Sequence, residues 1–535
     1  MSHRGEHAEI ETFLGKTIDS ELSGNMIDIC PVGALTSKPF RYNARTWELS
    51  RRKSIAAHDS SGANLIVQVK NNQVMRVVPL ENEDVNECWI ADRDRFSYEA
   101  LNGAERLTQP MLKQGGVWKE VDWQTALEYV ANGLKNIQRD HGANSIGALV
   151  SPQSTVEELY LAGALVRGLG SDNIDYRLRN AEFGAAEGVR TLGTSIASLS
   201  TLQRVLVVGS NLRKDHPLFA LRVRHAVRHG AQLNVITSQA AFSHADAWAM
   251  PVAQAVLTDA SSWAQALADV AAAVAAEKGV VAPAAGNVTA QAQAIAKSLL
   301  GGERKAVLLG NAAAHHANAS SLLALANWIA EQTGATVGYL TESANTVGAQ
   351  WVGAQPQTGG KNAGQMLTGG LKAALLLNTE PEFDSAAGSA AAQALGQADM
   401  VVTLSPFKAN MAFSDVLLPI APFTETSGSF VNAEGRLQSF HAVVKPLAET
   451  RPAWKVLRVL ANLLDVPGVS FETSQDVLAR AKAKPLAESN ATRAAIHLAA
   501  TAGTPAVASI YQLDGIVRRA PSLQLTADAR QEVTA

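Results

Sequence analysis

The chain has 535 residues, 47% of them hydrophobic and 18% charged, with a formal net charge of −3; this describes a globular protein with a sizeable core and roughly three or four domains at ~150 residues each. A sequence pI of 6.5 and scattered Lys and Arg argue against nucleic-acid binding, and two cysteines exclude a disulfide framework. The polar start MSHRGEHAEIE has no apolar run to serve as a signal peptide, and the most apolar stretch, Asp269 to Ala285, is broken by Glu277, Lys278 and Pro283, so no direct membrane insertion is expected.

Residues 1–40 are too short and polar to form an independent domain. Within them Cys30 is followed by Pro31 and a small-residue turn at Gly33, which is how many iron-sulfur ligand runs end. A four-iron cubane takes four protein ligands, usually three in a tight Cys-x-x-Cys-x-x-Cys run and a distant fourth. Cys30 therefore reads either as a ligand without its companions or as an ordinary core thiol. The other cysteine, Cys88, sits beside Trp89 with no cysteine at x-x spacing and reads as a packed thiol. Between them, Asn64 to Val78 predicts two strands around the turn Lys70-Asn71-Asn72, within a small β module over residues 41–105.

Beyond Trp123 the pattern becomes short apolar strands alternating with helices. Predicted strands are Ile146–Val150, Val205–Val208, Leu233–Ile236, Ala306–Leu309, Thr336–Leu340, Ala373–Leu377, Met400–Leu404 and Val416–Leu418. Strand, Gly/Asn/Ser turn, helix, strand is the βαβ unit, so the fold class is α/β, with two doubly wound, mostly parallel sheets. The Ala-rich stretch 264–300 is expected as a connection or helical pair between the two subdomains.

The turns Gly209-Ser210-Asn211, Gly310-Asn311 and Asn378-Thr379-Glu380 follow predicted strands, where open α/β sheets bind ligands; the same residues are also ordinary helix caps and turn formers. No Gly-x-Gly-x-x-Gly or Walker A run follows any strand, which disfavours an intrinsic NAD or ATP site. Ser50-Arg51-Arg52-Lys53 with Ser171-Asp172-Asn173 matches two parts of a penicillin-binding set, but no Lys-Thr-Gly completes it. His315-His316 lacks a metal-binding frame and is expected to serve a turn or helix cap.

Several blocks together carry a family resemblance. They are His3-Arg4-Gly5-Glu6-His7 leading to Asp28-Ile29-Cys30-Pro31-Val32-Gly33-Ala34-Leu35-Thr36-Ser37-Lys38-Pro39, then Glu83-Asp84-Val85-Asn86 with Trp89 to Phe96, Arg106 to Pro110, and Arg167 to Asp175. In these the chain resembles the large iron-sulfur subunit of bacterial NADH:quinone oxidoreductase, respiratory complex I. The segments Ser414 to Pro419 and Glu425 to Gln438 resemble the wider molybdopterin oxidoreductases.

The resemblance implies a division into four parts. Residues 1–40 are a remnant of a four-iron ferredoxin-like module, and 41–105 a small β domain of the kind that carries a cubane in molybdenum relatives, here without its cysteines. Residues 106–440 are the molybdopterin-oxidoreductase-like body and 441–535 a C-terminal region. Cys30 is the one metal ligand implied, matching the fourth ligand of a 4Fe-4S cluster; no catalytic and no other cofactor-binding residue is expected, and no molybdenum cofactor. The remaining cluster ligands would precede Met1, so an N-terminal truncation and redox incompetence of this chain alone are expected.

Implied partners are the flavin/NADH-binding subunit and the quinone-side iron-sulfur subunits. The implied location is the cytoplasmic face of the bacterial inner membrane, reached through those partners. Two other readings stay open: a molybdopterin-dependent oxidoreductase of the formate dehydrogenase type, and a cofactor-free scaffold subunit.

Overall fold

Residues 50–79 form an antiparallel sheet of β1 (Ser50–Ile55), β2 (Asn64–Lys70) and β3 (Gln73–Pro79), in that spatial order. The β2–β3 hairpin is the predicted one, and Asn71 and Asn72 at its turn have φ of 52° and 60°, the left-handed pair that a tight hairpin needs and asparagine tolerates. β1 carries no strand signal in the sequence, because Ser50-Arg51-Arg52-Lys53 has no apolar alternation. It pairs with β2 from Ser50↔Val69 to Ile55↔Asn64, and its exposed basic residues guard the open edge of the sheet. The computed structural model describes residues 3–7, 18, 20–184, 187–242, 248–500 and 503–531; Met1 and most of the rest of the polar N-terminal run lie outside them.

The body begins with the hairpin β4 (Met111–Gln114) and β5 (Val117–Glu120), followed by β6 (Ile146–Val150) and the short β7 (Ile174–Asp175). The chain then leaves to build a second sheet from β8 (Arg204–Val208), β9 (Gln232–Thr237), β10 (Gln254–Leu257), β11 (Lys305–Leu309) and β12 (Thr336–Tyr339). It returns as β13 (Ala373–Leu377), β14 (Met400–Ser405) and β15 (Val416–Pro419). A last hairpin, β16 (Gly428–Val431) and β17 (Leu437–Phe440), lies outside both sheets.

The first sheet has the order β5-β4-β15-β14-β13-β6-β7 and the second β10-β9-β8-β11-β12. All pairs of the second sheet are parallel, as are those from β15 to β7 in the first, with β4 antiparallel to β15. β6, β13, β14 and β15 are buried at every position, which is why they read as unbroken apolar runs: helices cover both faces of a parallel sheet.

The Ala-rich stretch does form a helical pair, Trp263–Lys278 and Ala290–Leu300. It lies inside the second subdomain, not between the two, sharing one core with β8, β11 and the helix Ala319–Thr333. Small side chains permit this tight layer: a Cβ on Gly286 would stand 2.3 Å from the carbonyl oxygen of Ala268. No helix among the described residues is long and apolar enough to cross a membrane.

A buried ion pair of the body lies where the chain leaves the β module. Arg106 donates to both carboxylate oxygens of Glu425 at 2.8 and 2.9 Å and to the carbonyl of Leu101 at 2.9 Å, while Glu425 also accepts the N–H of Leu447. The two side chains are 2% and 5% exposed. A buried pair adds little net stability, yet removing one partner strands the other charge. Glu425→Ala should therefore cost about 3–5 kcal/mol in urea unfolding, and Arg106→Met with Glu425→Leu should cost less than either single change.

Candidate functional site

Cys30 ends the short helix Asn25–Ile29, since its own extended backbone (φ −71°, ψ 108°) and Pro31 stop further helical turns. The chain then curls at Gly33, φ 66°, and the N–H of Leu35 points back at the Cys30 sulfur, 3.5 Å away. That backbone donor holds the thiol below its ordinary range, with the amides of Val32, Ala34 and Gly33 adding to it and slight desolvation opposing.

The helix is clamped to the β module. Asn25 donates to the carbonyl of Ile90 at 2.7 Å and accepts from Arg95, Asp28 pairs with Arg95, and Asp92 accepts the Gly24 N–H at 2.7 Å. Gly24 is required there, because a Cβ would stand 2.5 Å from Arg95 Cδ. Cys30 is thus a half-exposed thiol in an amide-lined turn on a fixed support, flanked by Ile29 and Val32, 61% and 82% exposed.

Cys88 is exposed, not packed as its neighbour Trp89 suggested. Glu87 adopts φ 50°, and this turn sends Cys88 outward while Ile90 enters the core. No group of three or more His, Cys, Asp or Glu among the described residues is placed to hold a metal. With two cysteines in the sequence, the chain's own donors do not complete a four-thiolate cluster; Cys30, with amides aimed at its sulfur, fits the part of one ligand.

A second constellation lies where the β module meets the body. His58, on the loop between β1 and β2, is 2.8 Å through Nδ1 from Asp514 and 2.8 Å through Nε2 from Ser97. This has the order of a Ser-His-Asp triad, but the three residues are 0–5% exposed and the cavity touching His58 and Asp514 holds only about 60 Å³. Without room for a substrate, the arrangement locks the C-terminal segment to the β module. Burial pulls the imidazole down, and the Asp514 carboxylate outweighs it, so His58 titrates above its usual value; burial likewise opposes Asp514, which His58 brings down to about 2.

Asp94, beside them, has no hydrogen-bond partner on either carboxylate oxygen among the described residues. Burial first, then Asp59, pushes it up to about 7.

Between the carboxyl ends of the two sheets lies a cleft of about 420 Å³. Of the turns singled out from sequence, Asn311 lines it, and Asn378 and Glu380 line the smaller cavity. Gly209-Ser210-Asn211 lines neither. Ser210 Oγ and the Asn211 N–H instead cap Asp215 at 2.8 and 2.9 Å, and Gly310 lets the β8 and β11 turns touch, since its Cβ would stand 2.3 Å from that of Ser210. His315 does cap a helix, Asn311–Ala314, and its Nδ1–H donates to the Ala506 carbonyl at 2.8 Å.

What the sequence did not reveal is the ionic network in and around the cleft. Arg179 pairs with Glu342 at 2.8 Å and Asp384 at 3.5 Å, Arg518 with Asp384 at 2.8 Å, Arg519 with Glu380 at 2.6 Å, and Arg177 with Asp175 at 2.9 Å. Leu513 faces the large cleft and Asp514 to Ile516 the small one, so the C-terminal segment fills the space between them. Neither cysteine lines the cleft. With its arginines largely committed to carboxylates, no thiolate and its floor filled, this lining does not fit a molybdenum-bearing pterin dinucleotide.

Three family models match. Residues 106–463 match molybdopterin oxidoreductase, 49–99 the 4Fe-4S domain of NADH-ubiquinone oxidoreductase NDSU1/NuoG-like proteins, and 1–36 the ferredoxin-like domain of NADH-quinone oxidoreductase subunit 3. The G subunit of the NADH-quinone oxidoreductase of Rickettsia felis is 39% identical over 230 residues, covering 43% of this chain and 34% of that protein. The NADH-ubiquinone oxidoreductase 75 kDa subunit of Reclinomonas americana is 27% identical over 498 residues, covering 88% of this chain.

The chain thus spans about a third of the length of the first relative and 65% of the second. The acetylene hydratase of Pelobacter acetylenicus superposes with a TM-score of 0.55 over 79% of this chain and 70% of its own, at 13% identity, a likeness of fold. These matches return the resemblance read from the motifs.

The buried carboxylate gives a pH-dependent expectation. Asp94 is raised from 3.8 to about 7, so folding costs nothing at this site below the ordinary value, and a cost grows as pH rises through that window. Asp94→Asn should stabilise the protein near pH 8, by an amount on the order of 3 kcal/mol, and leave it unchanged near pH 4. Urea unfolding at the two pH values checks this; a gain of equal size at both would refute it.

Proposed function

This chain belongs to the molybdopterin oxidoreductase family, and we propose that it is a large iron-sulfur subunit of NADH:quinone oxidoreductase that holds one ligand of an electron-transfer cluster and scaffolds the rest of the peripheral arm. The observation that carries the reading is the Cys30 turn. A thiolate with a backbone N–H aimed at its sulfur, on a helix clamped to the neighbouring domain, is built to hold a cluster edge and to tune it through hydrogen bonds to sulfur. The iron-sulfur domain models over 1–36 and 49–99, and relatives named as subunits of that complex, support it.

In this reading residues 1–40 are the cluster-edge module, 41–105 a β domain, 106–440 the body and 441–535 a C-terminal region. A bound 4Fe-4S cluster would supply one-electron transfer between flavin and quinone. Cys30 would ligate one iron, and Leu35 would donate to that sulfur, stabilising the more negative, reduced state. The remaining ligands come from residues outside these 535. Ion pairs take the place of a molybdenum centre in the cleft, so the body contributes docking surface and rigidity and no acid or base. Its partners are the flavin subunit and the quinone-side iron-sulfur subunits, on the cytoplasmic face of the inner membrane.

Anaerobic reconstitution with iron and sulfide tests the ligand assignment: the 535-residue chain alone should keep no stoichiometric acid-labile sulfide. In the assembled complex, Cys30→Ser should remove or shift the electron paramagnetic resonance signal of one four-iron cluster and leave the others. A stable cubane on the isolated chain, an unchanged spectrum in the variant, or near-stoichiometric molybdenum would each overturn the reading.

A further inference from the structure

On the flank of the first sheet, the helices Trp123–His141 and Ala453–Leu463 leave a pocket of about 330 Å³ that shares no lining residue with the cleft. Three cations line it, Arg451, Lys455 and Arg458, and among the described residues no acidic side chain does. The arginines around Asp384 and Glu380 each face a carboxylate, whereas these three cations have no carboxylate partner among the described residues. The first turn of the helix Ala453–Leu463 holds no acidic residue either. In a chain of net charge −3, three uncompensated positive charges around one hollow make a local field that draws anions.

The cations stand on fixed supports. The Arg451 guanidinium lies 4.8 Å over the ring of Trp123, a side chain 4% exposed whose indole N–H donates to the Glu449 carbonyl at 2.7 Å. Arg458 donates from Nη1 to the Phe471 carbonyl at 2.6 Å, while its Nε is buried without a partner among the described residues. Buried N–H groups are seldom left unpaired, and an anion in the pocket completes this one with a charge-assisted bond. Lys455, three residues before Arg458 and so on the same helix face, is exposed and free to close on such an anion.

The remaining lining defines the rest of the ligand. Leu127, Val456 and Val459 give the pocket an apolar side, and its volume lies near the lower end of ordinary small-molecule pockets, more than a bare anion fills. Three cations match a dianion better than a single carboxylate.

We propose that this pocket binds a phosphate monoester with a small apolar body, its dianionic head among Arg451, Lys455 and Arg458 and its body against Leu127, Val456 and Val459. The proposal stands apart from the electron-transfer reading, since it needs neither a cluster nor a partner subunit.

Isothermal titration of the full chain with phenyl phosphate, and with inorganic phosphate and phenylacetate as separate arms, tests it. Phenyl phosphate should bind saturably at one site per chain. Inorganic phosphate, which lacks the body, and phenylacetate, which lacks the second charge, should each bind about 10-fold or more weakly. Vesicles of phosphatidylcholine and phosphatidic acid should not sediment the chain, since a headgroup held in a bilayer does not bring an apolar body into the pocket. Lys455→Gln, a change at an exposed side chain, and Arg458→Gln should each weaken phenyl phosphate about 10-fold, the first melting like the parent without ligand. The proposal fails if phenyl phosphate does not bind, if inorganic phosphate or phenylacetate binds as tightly, if the vesicles sediment the chain, or if Lys455→Gln binds like the parent.

Discussion

Asp384 and Glu380 stand just beyond the carboxyl end of β13, and the arginines gathered on them decide how the molecule closes. Arg179 comes from the segment after β7, while Arg518 and Arg519 come from near the end of the chain. A buried guanidinium without a carboxylate is too costly to keep, so these residues are satisfied only when the C-terminal segment lies across the cleft. The same segment then brings Asp514 to His58. A single network thereby joins the β module, both sheets and the C-terminal segment around residues 514–519.

This network also explains how the fold of the molybdopterin oxidoreductase family persists over a lining that does not fit a molybdenum-bearing pterin dinucleotide. Parallel sheets present helix ends and loop amides at their carboxyl edges whatever is bound there. Here those edges carry paired charges and a stretch of the chain itself.

The sheets were legible in the sequence because strands covered on both faces must be apolar throughout. Ile146–Val150, Ala306–Leu309 and Ala373–Leu377 announce themselves for that reason. β1 hid behind Arg51, Arg52 and Lys53, since an exposed edge strand has no apolar alternation to show. Cys30 was legible through the proline and glycine that shape its turn. Cys88 was misjudged, because the φ of Glu87 decides its direction and no local composition reports it. Arg451, Lys455 and Arg458 carried no signal at all: what they do depends on which helix the topology places opposite them. Gly209 and Gly310 drew notice as ligand-binding turns, and their glycines serve the contact between neighbouring turns.

The way the second sheet is inserted into the first bears on how the molecule is made. β8 to β12 are consecutive, and each strand of that sheet finds its neighbours within residues 204–339. The first sheet instead pairs β6 with β13 and β4 with β15, contacts across more than two hundred residues of intervening chain. Loop-closure entropy makes such long-range pairings slow. On the ribosome, the inserted subdomain has all its strands in hand while the edges of β6 and β4 still wait, exposed, for partners that emerge much later.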